Sequence, residues 1–211
     1  MFLDRRDAGE KLAALLGDYR GRKNAVLLAL PRGGVPVASA VAHALALPMD
    51  VLCVHKIGAP SEPELAVGAV AEDGLVLLDE ETIAAMHIPE AAMRSATARE
   101  QEELLRREQI YRSSRPPLVL AGEIVILVDD GLATGYTMQA AIRAVSRRSA
   151  ASIVVAVPVA SQDTLDRLRA EVDHIFCVYT PRRLMSVGQF YDDFGQVTDE
   201  QVREELSRLR E

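Results

Sequence analysis

The chain has 211 residues, 49% hydrophobic and 26% charged, which is enough to bury the core of one α/β domain. Its formal net charge of −7 and its 4% of aromatic residues argue against a nucleic-acid-binding face or a base-stacking surface. No apolar run approaches the roughly 18 residues of a membrane span, and the N-terminus turns charged at once. We therefore expect a cytoplasmic protein with no nucleic-acid or membrane partner.

Apolar runs alternate with helical patterns along the chain, which is typical of a mostly parallel sheet covered by helices. The predicted strands, in chain order, are 25–30, 49–55, 67–71, 75–78, 124–128, 152–157 and 174–178. The predicted helices are 6–17, 35–45, 90–112, 138–145, 161–170 and 198–209. We expect Pro158 to end one strand, Ser161 to cap the next helix, and Thr198 with Gln201 to form a capping box.

The organisation predicted from these elements is a single domain over residues 1–211 with an inserted loop and helical region at 57–117. Within that region, 90–112 reads as a long charged helix with only a narrow apolar stripe, preceded by Pro89 and broken by 113–117. Its charged face is expected to be solvated. This helix is also the candidate contact for a homodimer.

The pattern most informative about function starts at the apolar strand 124–128. The strand runs into two adjacent acids, Asp129 and Asp130, and then into the small and hydroxyl residues of 131–137, where a helix begins. Backbone N–H groups in such a turn, and the N-terminus of the helix, attract phosphate. The acids can accept hydrogen bonds from vicinal ribose hydroxyls or help to hold a divalent cation. The segment therefore predicts a site for a phosphorylated sugar.

A second anion site is predicted where the first strand ends. Gly33 and Gly34 allow the backbone to approach a bound group closely, and Arg32 supplies a planar cationic fork suited to pyrophosphate. A helix begins directly after these residues, which adds its N-terminal N–H groups to the site.

The segment 128–137, Val-Asp-Asp-Gly-Leu-Ala-Thr-Gly-Tyr-Thr, resembles the phosphoribosyl-pyrophosphate (PRPP) binding motif of the type I phosphoribosyltransferases, with Tyr136 where a small residue is usual. Pro31-Arg-Gly-Gly, Lys56-Ile-Gly-Ala-Pro and Val187-Gly-Gln-Phe-Tyr-Asp-Asp-Phe extend the resemblance over nearly the full chain, to a bacterial branch of which some members are fused to a hydrolase-like domain. The resemblance implies an α/β fold with a doubly wound, mostly parallel central sheet, an inserted helical segment and a small terminal hood.

The resemblance also implies roles for individual residues. Asp129 and Asp130 would be the catalytic acids that hold the ribose hydroxyls. The pyrophosphate would be bound by Arg32, Gly33 and Gly34, in a loop that in this family often has a strained or cis peptide, and by Lys56 after the second strand. The 5′-phosphate would be bound by Gly131, Leu132, Ala133, Thr134, Gly135, Tyr136 and Thr137. Mg²⁺ is expected to arrive through PRPP, with no direct protein ligand.

A hood over the acceptor base is expected from residues 1–6 and 181–194. The second segment offers charge and stacking surface through Arg182, Arg183, Phe190, Tyr191 and Phe194. No acceptor-specific signature is visible in it. The implied partners are therefore PRPP and an unknown nitrogenous base.

The function implied is transfer of the 5-phosphoribosyl group from PRPP to that base with release of pyrophosphate, a transferase reaction of nucleotide metabolism. An alternative from another class is a catalytically silent PRPP-binding regulator, which the donor motif alone does not distinguish. A third reading, a phosphohydrolase, would need an Asp-x-Asp nucleophile or a histidine cluster. The four histidines, at 43, 55, 87 and 174, have no metal-ligand spacing.

Overall fold

The structure is a computed structural model that describes residues 1–112 and 118–208. Its strands are β1 Ala25–Ala29, β2 Met49–Val51, β3 Val54–Ala59, β4 Glu62–Ala71, β5 Val76–Leu78, β6 Ile124–Val128, β7 Ser152–Val159 and β8 His174–Tyr179. Its α-helices are α1 Arg5–Leu15, α2 Gly34–Leu45, α3 Glu80–Ala85, α4 Glu90–Arg112, α5 Tyr136–Ser146, α6 Gln162–Leu168 and α7 Asp199–Arg208. Two short 3₁₀ helices span Gly17–Tyr19 and Val187–Phe190.

Five strands form a parallel sheet in the order β2, β1, β6, β7, β8. Because successive side chains of a strand point to opposite faces, each strand feeds two cores. Leu27 of β1 packs with α1 and α2 on one face, whereas Leu28 packs with α5 and α6 on the other. Helices on both faces of a parallel sheet confirm the predicted doubly wound fold.

A second sheet, antiparallel and ordered β3-β4-β5, occupies much of the region predicted as an inserted loop and helix. Ile57 packs in the core that contains α4, whereas Val54 packs in the core that contains α5, so this sheet lies between the two helices. The sheet and the helices α3 and α4 together account for the described part of 57–117. The predicted strands 67–71 and 75–78 are confirmed as part of β4 and as β5, which pair antiparallel.

The prediction of one strand over 49–55 is wrong. The N–H of Leu52 still donates to the carbonyl of Ala29, but the chain then leaves the parallel sheet and begins β3 at Val54. Residues 51–54, which span the break, are all buried and apolar, and no glycine or proline lies among them, so the sequence has no signal for the change of sheet. Pro158 also does not end its strand, since β7 pairs with β8 on both sides of it, at Val157 and Val159.

The helix predicted at 90–112 is confirmed as α4. Its apolar stripe packs against other elements of the same chain. The buried residues of the stripe face β3, β4 and α7, and they are Met93, Ala96, Leu104 and Tyr111. Leu105, 54% exposed, lies off that stripe. The homodimer contact stays a prediction. In the part of the chain that the structure describes, no helix is both long and apolar enough to cross a bilayer.

Two predicted caps are present and position the helices that frame the site. Ser161 Oγ accepts a hydrogen bond from the N–H of Thr164 at 3.2 Å, at the start of α6. The N–H of Thr198 donates to Gln201 Oε1 at 2.8 Å, and the N–H of Gln201 donates to Thr198 Oγ1 at 3.2 Å. This capping box starts α7 where the sequence places it.

Candidate functional site

The two predicted acids lie at the carboxyl end of β6, where parallel sheets commonly bind ligands. Asp129 Oδ1 accepts a hydrogen bond from the N–H of Asp130 at 2.9 Å. Burial raises the pKa of Asp129 well above its usual range, and the neighbouring charge of Asp130 raises it further. Burial also raises the pKa of Asp130. Two adjacent, poorly solvated carboxylates are a site prepared for hydroxyl donors or a cation.

Arg5 is the cation that counteracts the effect of burial on the pKa of Asp130. Its Nε donates to Asp130 Oδ2 at 2.8 Å, and the ion pair is largely buried, with 12% and 14% of the two side chains exposed. The guanidinium also donates to the carbonyl of Gly195 at 2.8 Å and stacks 3.9 Å from the centre of the Phe194 ring. Arg5 therefore lowers the pKa of Asp130 relative to burial alone and holds that carboxylate in one orientation.

The two segments predicted to form the hood lie together beside the acids. The N–H of Phe2 donates to the carbonyl of Phe190 at 2.8 Å, and the N–H of Asp192 donates to the carbonyl of Phe2 at 2.9 Å. Tyr191 donates its hydroxyl hydrogen to the carbonyl of Asp130 at 2.6 Å and packs its ring on those of Phe2 and Phe194. Arg182 and Arg183 are exposed. The hood is thus attached to the acid pair through Arg5 and Tyr191.

The loop between β1 and α2 passes directly against the acids. A Cβ on Gly33 would lie 2.0 Å from Asp130 Oδ2, and one on Gly34 would lie 2.7 Å from the carbonyl oxygen of Val128. The peptide bond between Pro31 and Arg32 is cis. Any residue larger than glycine would push this loop off the end of β6, so the two glycines bring the predicted pyrophosphate and ribose sites together.

The two predicted pyrophosphate cations are placed differently. Arg32 lies in the loop, with its Nη1 3.9 Å from Asp199 Oδ1 at the start of α7. Lys56 lies within β3, opposite Ala69, with an exposed side chain. Lys56 therefore belongs to the antiparallel sheet and not to the end of a parallel strand, where the sequence pattern places it.

The predicted phosphate loop, residues 131–137, turns from β6 into α5. Gly131 lies against the hood, since a Cβ there would be 2.6 Å from Val187 Cγ1. Gly135 has φ +80°, a left-handed conformation that favours glycine, and α5 begins at the next residue. Ala133 and Thr134 are exposed, and Leu132 is buried. The loop thus presents its backbone to solvent at a helix N-terminus, as an anion site requires.

Tyr136, the departure from the family pattern, joins this loop to the inserted region. Its hydroxyl donates to Asp79 Oδ2. Asp79 is the N-cap of α3, where it also accepts from the N–H of Thr82 at 3.0 Å. The hydrogen bond from Tyr136 is the main reason that the pKa of Asp79 lies below its usual range. A pocket of about 350 Å³ opens between the loop, α3 and α6.

Two side chains of α6 that the sequence did not single out also contact the loop. Thr164 Oγ1 donates to the carbonyl of Ala133 at 2.9 Å, and Arg167 donates to the carbonyl of Thr134 at 2.8 Å. The only local signal was the Ser161 cap, which fixes the start of α6 but says nothing of the loop it faces.

The acid pair offers two carboxylates, and within the described residues no group of three or more His, Cys, Asp or Glu side chains could hold a metal ion. Mg²⁺ prefers six oxygen ligands and keeps several waters when it binds with a phosphate-bearing substrate. The donor set therefore fits a cation that arrives on a polyphosphate better than a resident one.

Comparison with known proteins agrees with this geometry. Residues 3–187 match the family model described as the phosphoribosyl transferase domain. The chain belongs to the phosphoribosyltransferase family. The predicted fold, a mostly parallel central sheet of five strands covered by helices, is the type I fold of this family.

Relatives extend the match over the whole chain. A provisionally named phosphoribosyl transferase of Mycobacterium tuberculosis is 42% identical over 208 residues, which are 99% of this chain and 47% of that protein. The crystal structure of TT1426 from Thermus thermophilus is 41% identical, covers 99% of this chain and 98% of that one, and superposes with a TM-score of 0.80. The chain thus spans about half the length of the curated relatives that it matches.

Proposed function

We propose that this protein is a phosphoribosyltransferase that uses PRPP as donor and transfers the 5-phosphoribosyl group to a nitrogenous base. The observation that carries the proposal is the convergence of three features at one edge of the sheet: the half-buried acid pair, the glycine loop after β1, and the predicted phosphate loop at the start of α5. Each would bind one part of PRPP. Together they match the order of pyrophosphate, ribose and 5′-phosphate within a single molecule.

The acids would bind the ribose. Both carboxylates are poorly solvated, so hydrogen bonds from the two vicinal hydroxyls would replace solvation that burial has removed. Arg5 and the backbone contact of Tyr191 hold Asp130 in position for this role. Donor binding would then fix the ribose ring against the end of β6 and orient C1 towards the hood.

The two anion loops would bind the ends of the donor. Residues 131–137 would bind the 5′-phosphate through backbone N–H groups and the hydroxyls of Thr134 and Thr137. The backbone of Gly33 and Gly34, with Arg32 and Lys56, would bind the pyrophosphate. Mg²⁺ bound to the pyrophosphate would neutralise its negative charge as it leaves.

In the reaction, the bond between C1 and the pyrophosphate oxygen breaks, and a ring nitrogen of the base forms a new bond to C1. Positive charge develops on the ribose ring, as in glycoside cleavage. The carboxylates beside the ring would stabilise that charge, and the hood would hold the base in line with C1. The nitrogen's proton, where it carries one, would leave to solvent or to the departing pyrophosphate.

Titration calorimetry of PRPP with Mg²⁺ tests the donor site. We expect saturable binding to the wild-type protein and its loss in the variant Asp129→Asn, Asp130→Asn. The matched control is Glu200→Gln, Glu204→Gln, which makes the same change in net charge on two residues at the surface of α7. The control variant should bind as the wild type does.

The outcomes separate the competing functions. Pyrophosphate release in a screen of nitrogenous bases would identify the acceptor. Binding of PRPP without release for any base would favour a regulator. No binding by folded wild-type protein at millimolar PRPP would contradict the donor assignment and favour a phosphohydrolase. A cytoplasmic location and a homodimer stay predictions, which fractionation and light scattering would check.

A further inference from the structure

Two carbonyl groups of the phosphate loop point at α6. Ala133 accepts from Thr164 Oγ1 at 2.9 Å, and Thr134 accepts from an Nη of Arg167 at 2.8 Å. Both donors come from one helix, one turn apart. Two consecutive peptide groups of the loop are thus held by side chains from outside it.

The direction of these carbonyls determines the direction of the neighbouring N–H groups. A trans peptide is planar, so its N–H points opposite to its carbonyl. The carbonyls of Ala133 and Thr134 face α6, and the N–H groups of Thr134 and Gly135 therefore face away from it, to the open side of the loop. Within residues 1–112 and 118–208, neither N–H donates to a protein acceptor.

Thr164 is well placed to hold this arrangement. It is 2% exposed, and its hydroxyl accepts from Ser161 Oγ at 2.9 Å while it donates its single hydrogen to Ala133. Its methyl group lies beneath the loop, since a Cβ on Gly135 would be 2.7 Å from Thr164 Cγ2. The threonine thus supports the loop through both a hydrogen bond and a packing contact.

We propose that Thr164 and Arg167 are positioning residues that orient the N–H groups of Thr134 and Gly135 for the 5′-phosphate of the donor. The inference rests on the proposed function and adds to it residues that lie outside the motif. Neither side chain needs to touch the ligand. Without them the two peptide groups could rotate, and binding would have to reorder the loop.

The test compares two ligands, ribose 5-phosphate, which carries the 5′-phosphate end of the donor, and pyrophosphate, which is its other end. Affinity for ribose 5-phosphate and for pyrophosphate with Mg²⁺ is measured by calorimetry in Thr164→Val, which keeps the shape but loses the hydroxyl, and in Thr164→Ser, which keeps the hydroxyl. Loss of one hydrogen bond should weaken ribose 5-phosphate binding roughly two- to tenfold in Thr164→Val. Thr164→Ser should restore most of it, and pyrophosphate binding should not change.

Arg167→Met should likewise weaken ribose 5-phosphate binding. The matched control is Arg169→Met, at an exposed arginine that follows α6 and pairs with Asp166, and it should not weaken binding. In the wild type, the amide proton resonances of Thr134 and Gly135 should shift downfield when ribose 5-phosphate is added, a readout that needs no variant to fold.

Equal ribose 5-phosphate affinity in Thr164→Val and wild type, or equal loss for both ligands, would overturn the positioning role and leave the proposed function standing. Absence of any binding to wild-type protein would overturn the proposed function and this inference with it.

Discussion

The loops that follow β1 and β6 lie side by side at one edge of the parallel sheet, yet they are supported differently. The loop after β1 depends on missing side chains, because Gly33 and Gly34 leave room for Asp130 and the backbone of Val128. The loop after β6 is held by hydrogen bonds from side chains. Thr164 and Arg167 of α6 donate to carbonyl groups of the loop, and Tyr136 of the loop donates to Asp79 at the start of α3. The first is positioned by close approach and the second by hydrogen bonds from its surroundings.

This difference suggests how each loop tolerates change. A close approach fails when one methyl group is added, whereas a set of separate hydrogen bonds weakens one bond at a time. Asp130 stands between the two loops and is itself held by the hood. Substitutions at these supports test the contrast, from the largest expected effect to the smallest.

Replacing Arg5 with Met should have the largest effect, because Asp130 would lose its partner in a largely buried pair. We expect a loss of up to about 3 kcal/mol in the free energy of unfolding at neutral pH. Removing the cation also raises the pKa of Asp130 further, so the pH above which PRPP binds should move upward. Chemical denaturation and PRPP titrations across pH measure the two effects.

The neighbouring substitution Arg6→Met is the control for Arg5. Arg6 is exposed, and within the described residues its ion pair is with Glu10 along the helix, at 3.3 Å. Its loss should leave both the stability and the pH dependence near wild type. A similar pH dependence in the two variants would show that Arg5 does not control Asp130.

Gly34→Ala should come next, because its Cβ would meet backbone atoms that cannot turn aside. We expect a loss of about 2 kcal/mol in the free energy of unfolding, together with weaker pyrophosphate binding. Gly17→Ala is the control, since a Cβ there meets nothing within 4 Å. Thermal melts and pyrophosphate titrations measure the two effects. Equal results for Gly34→Ala and Gly17→Ala would show that the loop after β1 tolerates a side chain at position 34.

Tyr136→Phe should remove one support of the phosphate loop and leave the others. We expect a loss of about 1 kcal/mol in stability and a small decrease in ribose 5-phosphate affinity. A double-mutant cycle with Asp79→Ala, which removes the acceptor, measures the coupling between this hydroxyl and Asp79. Strictly additive effects in that cycle would mean that the loop and α3 are not coupled.

Asp129→Asn should have the smallest effect on stability, and in the opposite direction. Burial raises the pKa of Asp129 in the folded protein, so the folded state binds more protons than the unfolded state between the two pKa values. Stability from this group is therefore lost as pH rises through that interval. Asparagine avoids this loss and should stabilise the protein by about 0.5–1 kcal/mol at neutral pH.

The Asp129→Asn side chain would still accept the hydrogen bond from the N–H of Asp130 through its amide oxygen, so packing should be preserved. PRPP affinity should nevertheless fall, because a carboxylate is replaced by a neutral amide. Melting temperatures from pH 4 to 8 check the result, with exposed Asp192→Asn as the reference. A less stable Asp129→Asn protein at pH 7 would contradict the raised pKa.

Much of the parallel sheet could be predicted from the sequence, because β1, β6, β7 and β8 are largely apolar runs bounded by a turn or a helix pattern. The acids and both loops could be predicted because consecutive residues carry the pattern. The break between β2 and β3 could not, since the residues that span it, 51–54, are continuously apolar and the choice of sheet depends on tertiary pairing.

The supports of the site were harder to predict than its motif. Arg5, Thr164 and Arg167 act on residues far from them in the chain, and each belongs to an ordinary polar helix surface by sequence alone. Tyr136 was visible as a departure from the family pattern, but its partner Asp79 lies 57 residues away. Contacts of this kind become visible only when the fold brings the elements together.

The pairing of Arg5 with Asp130 spans 125 residues, and its bond to Gly195 spans 190. On the ribosome, Arg5 could pair with Asp130 only after residue 130 had emerged, and its bond to Gly195 would form later still. We expect a nascent chain halted before residue 190 to form the central strands and yet to hold Asp130 without Arg5 fully anchored. The full set of contacts at Arg5 would therefore form only after the segment around Gly195 has been made, long after the first helix.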